Sequence, residues 1–153
     1  MMKTAVGSKM KFATTRFGLI EVDEDKLIWF VDEIPGFPEA RSFVLIPHAE
    51  DSPFSWLQSV ERPEVAFVVV NPWLFFGDYK PVVHEADLEK LEIKDNQEDS
   101  PVVLSILTIP SDPHKMTANL QAPVVINPRN NTAKQVILVN ENYTTKHLVL
   151  PNR

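Results

Sequence analysis

Phe54-Ser55-Trp56-Leu57-Gln58-Ser59-Val60, followed across Pro63 by Val65-Ala66-Phe67-Val68-Val69-Val70, decides the fold class. In the first run Phe54, Trp56 and Gln58 point one way, and Ser55, Leu57 and Ser59 the other. That is the period of two of a β-strand. The second run is apolar on both faces, as in a strand buried in the middle of a sheet. The same grammar extends outward. Upstream, Phe17–Val22 turns at Asp23-Glu24-Asp25 and pairs back with Leu27–Val31 as a hairpin. Ile34-Pro35-Gly36-Phe37 is a turn in which Gly36 is free to take positive φ, and Phe43–Ile46 is a strand that stops at Pro47. Downstream, the strands are Val102–Ile109, Pro123–Asn127 and Gln135–Val139, the last after the polar turn Pro128–Thr132.

Thirteen prolines and four glycines punctuate these runs. Long helices do not fit between most of them, because an interior proline removes a backbone donor and clashes with the preceding turn. Short apolar runs between turn signals read as a β-sandwich or barrel. One helix is expected over residues 84–93, where Leu88 and Leu91 share a face and acids occupy the first turn. A second short helical turn is expected at Pro38–Ser42. The reading is therefore a mainly β domain over 11–150 with one short helix, preceded by a flexible extension over 1–10.

The chain has 153 residues, 44% apolar and 24% charged, enough for a full core in one domain. It has no cysteine, which excludes disulfides, thiolate nucleophiles and cysteine metal sites. The longest apolar run, Val65–Val70, is far too short to span a bilayer. Met1–Lys9 lacks the hydrophobic region of a signal peptide, so a cytoplasmic location is expected. Net charge is −6, with −5 over residues 18–33, −5 over 85–100, and +3 over 101–153. No dense basic cluster exists. Direct nucleic-acid binding is not expected, because phosphate neutralisation dominates that affinity. An acidic surface suits a basic protein partner instead.

Motifs for chemistry are missing. His48, His84, His114 and His147 are never closer than 30 residues apart, so no metal site is expected. Ser111-Asp112-Pro113-His114 holds three triad residue types, but neighbours on a proline-broken turn do not converge as a triad does. The expected role is a turn in which Ser111 or Asp112 bonds a backbone N–H. No glycine-rich phosphate loop occurs, so no cofactor and no catalytic residue are assigned.

The unusual stretch is Asn71-Pro72-Trp73-Leu74-Phe75-Phe76-Gly77-Asp78-Tyr79, with four aromatics in seven positions. These rings either plug one end of the β structure or stand exposed as interface anchors. Trp73, Phe75, Phe76 and Tyr79 are the anchor candidates, and Asp78, Gln58 and Asn119 are candidates for oriented polar contacts. Asn119, within Lys115–Pro123, has the alternative role of bonding backbone in an irregular crossing. Burial decides among them, since a buried ring cannot anchor a partner.

Six stretches in register carry a family likeness: Thr15–Glu21, Ile34–Phe37, Ser52–Ser59, Ala66–Pro72, Met116–Pro123 and Lys134–Leu138. Through them the chain resembles the FliW family of bacterial flagellar assembly factors over about residues 11–150. The resemblance implies a small antiparallel β-barrel-like monomer without enzymatic activity. It implies two partners in the cytoplasm: flagellin, and the RNA-binding translational regulator CsrA. Flagellin occupies such a protein when it accumulates; once exported, it frees the protein to capture CsrA and lift repression of flagellin translation. The alternatives are a chaperone-like β module for another exported protein and a hydrolase on a β scaffold.

Overall fold

The computed structural model describes residues 8–95, 97 and 100–149. Its strands are β1 (Lys9–Thr14), β2 (Gly18–Asp23), β3 (Ile28–Phe30), β4 (Ser42–Pro47), β5 (Phe54–Ser59), β6 (Ala66–Val70), β7 (Val102–Thr108), β8 (Thr117–Ala118), β9 (Val124–Asn127), β10 (Thr132–Gln135) and β11 (His147–Leu148). One helix, α1 (Glu85–Lys90), lies between β6 and β7.

Seven strands run in the order β7-β6-β5-β4-β3-β10-β9, and β9 returns to pair with the start of β7. The sheet is thus a closed barrel, which resolves the choice between sandwich and barrel. Closure pairs the sheet's own edges with each other. Strand β6 sits between β5 and β7, as its two apolar faces require. The pairing is antiparallel except at β3–β10, which is parallel. That departs from a wholly antiparallel barrel. The physical reason is connectivity: β3 and β10 are far apart in sequence, so no hairpin dictates their relative direction. Beyond the barrel, β8 continues the sheet from the end of β7, and β11 pairs with β8.

The expected hairpin between Phe17–Val22 and Leu27–Val31 does not form. Strand β1 pairs with β2 instead, and Glu24–Lys26 is a turn of 3-10 helix leading into β3. Gly18 closes the β1–β2 turn at φ +69. Thr14 Oγ1 accepts from the Phe17 N–H and donates to the Gly18 carbonyl, both at 2.8 Å. The boundary expected after residue 10 therefore falls inside β1, while residues 1–7 lie outside the described residues. This hairpin fastens to the barrel where the Thr15 N–H donates to the Pro63 carbonyl at 2.9 Å. Phe17 meets Trp56 edge-on, and Arg16 lies 4.1 Å from the centre of the Trp56 ring.

The last expected strand, Gln135–Val139, is shifted. Asn131 adopts φ +56 and its N–H donates to the Asn127 carbonyl at 2.8 Å. The chain reverses there, so β10 starts at Thr132. Residues 136–139 leave the barrel but keep main-chain partners, Val136 to Pro123, Leu138 to Gln121 and Val139 to Val82.

The expected helix exists but is shorter than 84–93. Glu92, at φ +59, ends it, and the Ile93 N–H returns to the Leu88 carbonyl at 2.9 Å. Leu91 is fully buried, and Asn127 Nδ2 donates to its carbonyl at 2.8 Å. Lys134 bridges to Asp87 at 3.0 Å, and Lys90 bridges to Asp32 at 2.8 Å. Pro38–Ser42 is a turn rather than helix, with the Ala40 N–H on the Phe37 carbonyl. Gly36 takes φ +89 as expected.

The core has two regions. Phe30, Phe43, Leu57, Val69 and Val124 fill one, with the Phe30 and Phe43 rings 4.9 Å apart. Val70, Tyr79, Leu91, Leu120, Val125 and Val136 fill the other, beneath the 71–79 segment. Each such side chain contributes about 1.5–3 kcal/mol by leaving water. Among the described residues, no helix is long and apolar enough to cross a membrane.

Candidate protein-binding surface

The 71–79 segment begins where β6 ends. Asn71 Oδ1 accepts from the Trp73 N–H at 3.0 Å and so starts the 3-10 turn Pro72–Leu74. Pro72 suits the first position of that turn, where no N–H is required. The turn sends consecutive side chains in different directions. Trp73 is 39% exposed and Leu74 is 61% exposed, while Phe75 and Phe76 are half-buried and Tyr79 is buried at 2%. The stretch therefore encloses some of its side chains and exposes others.

Hydrogen bonds hold these rings in place. Trp73 Nε1 donates to the Tyr79 carbonyl at 2.7 Å, and the Tyr79 hydroxyl donates to the Leu120 carbonyl at 2.7 Å. The Tyr143 hydroxyl accepts from the Lys80 N–H at 2.8 Å, and its ring stands edge-on to Tyr79 at 4.8 Å. Burial, with a smaller contribution from Tyr143, pushes the Tyr79 phenol well above its ordinary pKa. It therefore stays a neutral donor. Phe75 stacks on Phe54, and Phe76 stands edge-on to His147 at 5.4 Å.

Phe76 and His147 form a ridge shared by two hollows. One, of about 500 Å³, continues over Thr144, Lys146 and Leu148. The other, of about 550 Å³, is lined by Asp78, Lys80, Asn140 and Tyr143 among others. The surface offers apolar area, donors and acceptors. Among the described residues, no three His, Asp or Glu side chains gather as a metal site would require. At Ser111–His114, Asp112 Oδ1 accepts from the His114 N–H at 3.0 Å, the expected turn.

Two candidates for direct contact are corrected by burial. Tyr79 is enclosed and serves the scaffold. Gln58 is wholly buried as well; the pleat places it opposite Leu57, on the barrel face that the β1–β2 hairpin covers. Its Nε2 donates to the carbonyls of Ser59, Pro63 and Val65 at 2.9, 3.2 and 3.2 Å. Asn119 is half-buried, and its Oδ1 accepts from the Ala122 N–H at 2.9 Å, which closes the irregular crossing after β8. Asp78 is exposed at the rim. The sequence reading missed Leu74, Tyr143, His147 and Leu148. Leu74 lies inside the aromatic stretch but is not itself aromatic; the other three follow no strand or helix period.

Acidic side chains divide by role. Asp32 and Asp87 are taken up by the lysines that clamp α1, and the Lys90 ammonium holds the Asp32 carboxyl below its usual range. Glu85, Glu89, Glu92 and Asp95 remain exposed along and after the helix.

Comparison with known proteins decides the family. The model of the FliW protein family matches residues 11–149. The chain belongs to the FliW family. The flagellar assembly factor FliW of Heliobacterium modesticaldum is 42% identical over 142 residues, which cover 93% of this chain and 92% of that protein. The FliW of Bacillus subtilis is 45% identical over 134 residues, covering 88% and 92%. A crystal structure of the flagellar assembly factor FliW matches with a TM-score of 0.84 at 42% identity, over 94% of this chain and 99% of that one. These relatives are named flagellar assembly factors. The mainly β barrel with a single short helix is the FliW fold.

Proposed function

We propose that this flagellar assembly factor works by gripping proteins. In this reading it binds flagellin in the cytoplasm. When free of flagellin it is a monomer that binds CsrA and relieves CsrA's repression of flagellin translation. It has no catalytic activity, needs no cofactor or metal, and makes no direct contact with nucleic acid.

The observation that supports the reading is the exposure of Trp73 and Leu74 on a segment in which the Trp73 and Tyr79 rings are fixed by hydrogen bonds. Preorganised apolar side chains lose little freedom on binding, and aromatics dominate the energetic centres of interfaces. Phe75, Phe76 and Asp78 flank them as further contacts. Asn119 shapes the neighbouring crossing.

The acidic face contributes to CsrA antagonism. With an RNA-binding protein docked nearby, Glu85, Glu89, Glu92 and Asp95 add negative potential that weakens its hold on phosphates, most strongly at low salt. The test is a pull-down of purified flagellin and CsrA by this protein, with RNA release from CsrA measured for a variant in which these four acids are amides. Unchanged RNA release at unchanged CsrA affinity would remove the electrostatic part.

A further inference from the structure

We propose that β11 is a docking edge, at which an extended segment of the protein partner pairs with the main chain of Leu148, seats an apolar side chain against Phe76 and Leu148, and directs a carboxylate to Lys146. This rests on the flagellin reading and specifies how the partner is held.

The barrel closes on itself, but among the described residues the β7-β8-β11 extension ends in an edge. Antiparallel ladders alternate, so neighbouring residues of a strand send their main-chain groups to opposite sides. The Val149 N–H donates to the Met116 carbonyl at 3.0 Å. Residues 149 and 116 therefore form a hydrogen-bonded pair, and Leu148, opposite Thr117, falls in a non-bonded pair. The next ladder agrees: the Asn119 N–H donates to the Ile106 carbonyl at 2.9 Å, which sends the Thr117 main chain toward β7. The Leu148 N–H and carbonyl thus point away from β8, one donor and one acceptor that fit an added strand.

The side chains fit the same occupant. Leu148 is 47% exposed and forms, with Phe76, Thr144, Lys146 and His147, the hollow of about 500 Å³. Lys115 precedes β8 and Lys146 precedes β11, so exposed ammonium groups stand near opposite ends of the edge. No carboxylate pairs with either among the described residues, in a chain whose net charge is −6. Residues 101–153 contain two acids, Asp112 and Glu141, and Asp112 is turned onto His114. The charge complement is an acidic segment.

The test uses the full chain and purified monomeric flagellin. Hydrogen exchange is followed at the Leu148 amide, and affinities are measured for L148P and K146E. Proline at 148 removes the outward N–H without breaking a bond to β8. The expected results are slowed exchange at Leu148 on binding, and an affinity at least about tenfold lower for L148P at an unchanged melting temperature. K146E also binds more weakly, with a salt dependence shallower than that of the wild type. If L148P melts early, the wild-type exchange and K146E decide. Wild-type binding with unchanged Leu148 exchange and undiminished affinity of the variants overturns the docking edge alone. A wild-type dimer that L148P converts to monomer also overturns it, since the edge would then pair with itself. Absence of wild-type binding overturns the flagellin reading beneath it.

Discussion

The Tyr79 hydroxyl donates a 2.7 Å hydrogen bond to the Leu120 carbonyl, joining the aromatic segment to the crossing after β8 across 41 residues of sequence. This bond fixes the two loops that hold most of the candidate contact residues. Tyr79→Phe leaves a buried carbonyl without its partner and lowers stability by about 1–2 kcal/mol in urea unfolding. The pH dependence has a definite sign. The folded pKa is raised above the ordinary value of 10.0. Below pH 10 both states keep the proton and the contribution is constant. Above it the unfolded chain ionises first, so stability falls as pH rises. The Y79F variant loses that component of the alkaline decline.

Gln58 gives a second separation of scaffold from surface. Three carbonyls surround its Nε2, on a side chain with no exposed area. Gln58→Leu is expected to cost about 1 kcal/mol, mainly through the Ser59 carbonyl, because the Pro63 and Val65 carbonyls keep the Thr15 and Ser59 N–H groups. Partner affinity, measured by calorimetry on the folded fraction, stays at the wild-type value. A tenfold affinity loss with unchanged stability would return Gln58 to the interface.

Glu92 is strained, because a side chain in the left-handed region crowds its own carbonyl. Glu92→Gly relieves this at the end of α1 and raises stability by about 1 kcal/mol, readable as a higher urea midpoint with an unchanged slope. A lower midpoint would mean that the carboxylate has a stabilising role that outweighs the strain.

Trp73 and Leu74 make the opposite prediction. Leu74→Glu changes an exposed side chain and alters stability by less than about 0.5 kcal/mol. Its flagellin affinity falls by more than about tenfold, the signature of an apolar contact near an interface centre. Trp73→Ala also lowers affinity, with some loss of stability because Nε1 no longer reaches the Tyr79 carbonyl.

The sequence made the barrel strands legible where local signals agree. Residues 54–59 and 66–70 alternate or run apolar between turn residues, and both form strands. Gly36 announced its turn. The alternation Lys9-Met10-Lys11-Phe12 is a short strand signal, but the pairing of β1 with β2 was hidden because Thr14 closes the turn through a hydroxyl no pattern reveals. The parallel β3–β10 pairing and the β8–β11 pairing arise from contacts distant in sequence. The site was half legible. Aromatic density located the segment, but the 3-10 turn at Pro72 decides which ring faces water, and that geometry is not periodic.

The most direct test of the central claim is a competition titration: labelled CsrA is bound to this protein, and monomeric flagellin is added with fluorescence anisotropy as the readout. Each partner is expected to bind at micromolar concentration or below, with CsrA released as flagellin saturates the protein. Binding of neither partner at micromolar concentration would contradict it.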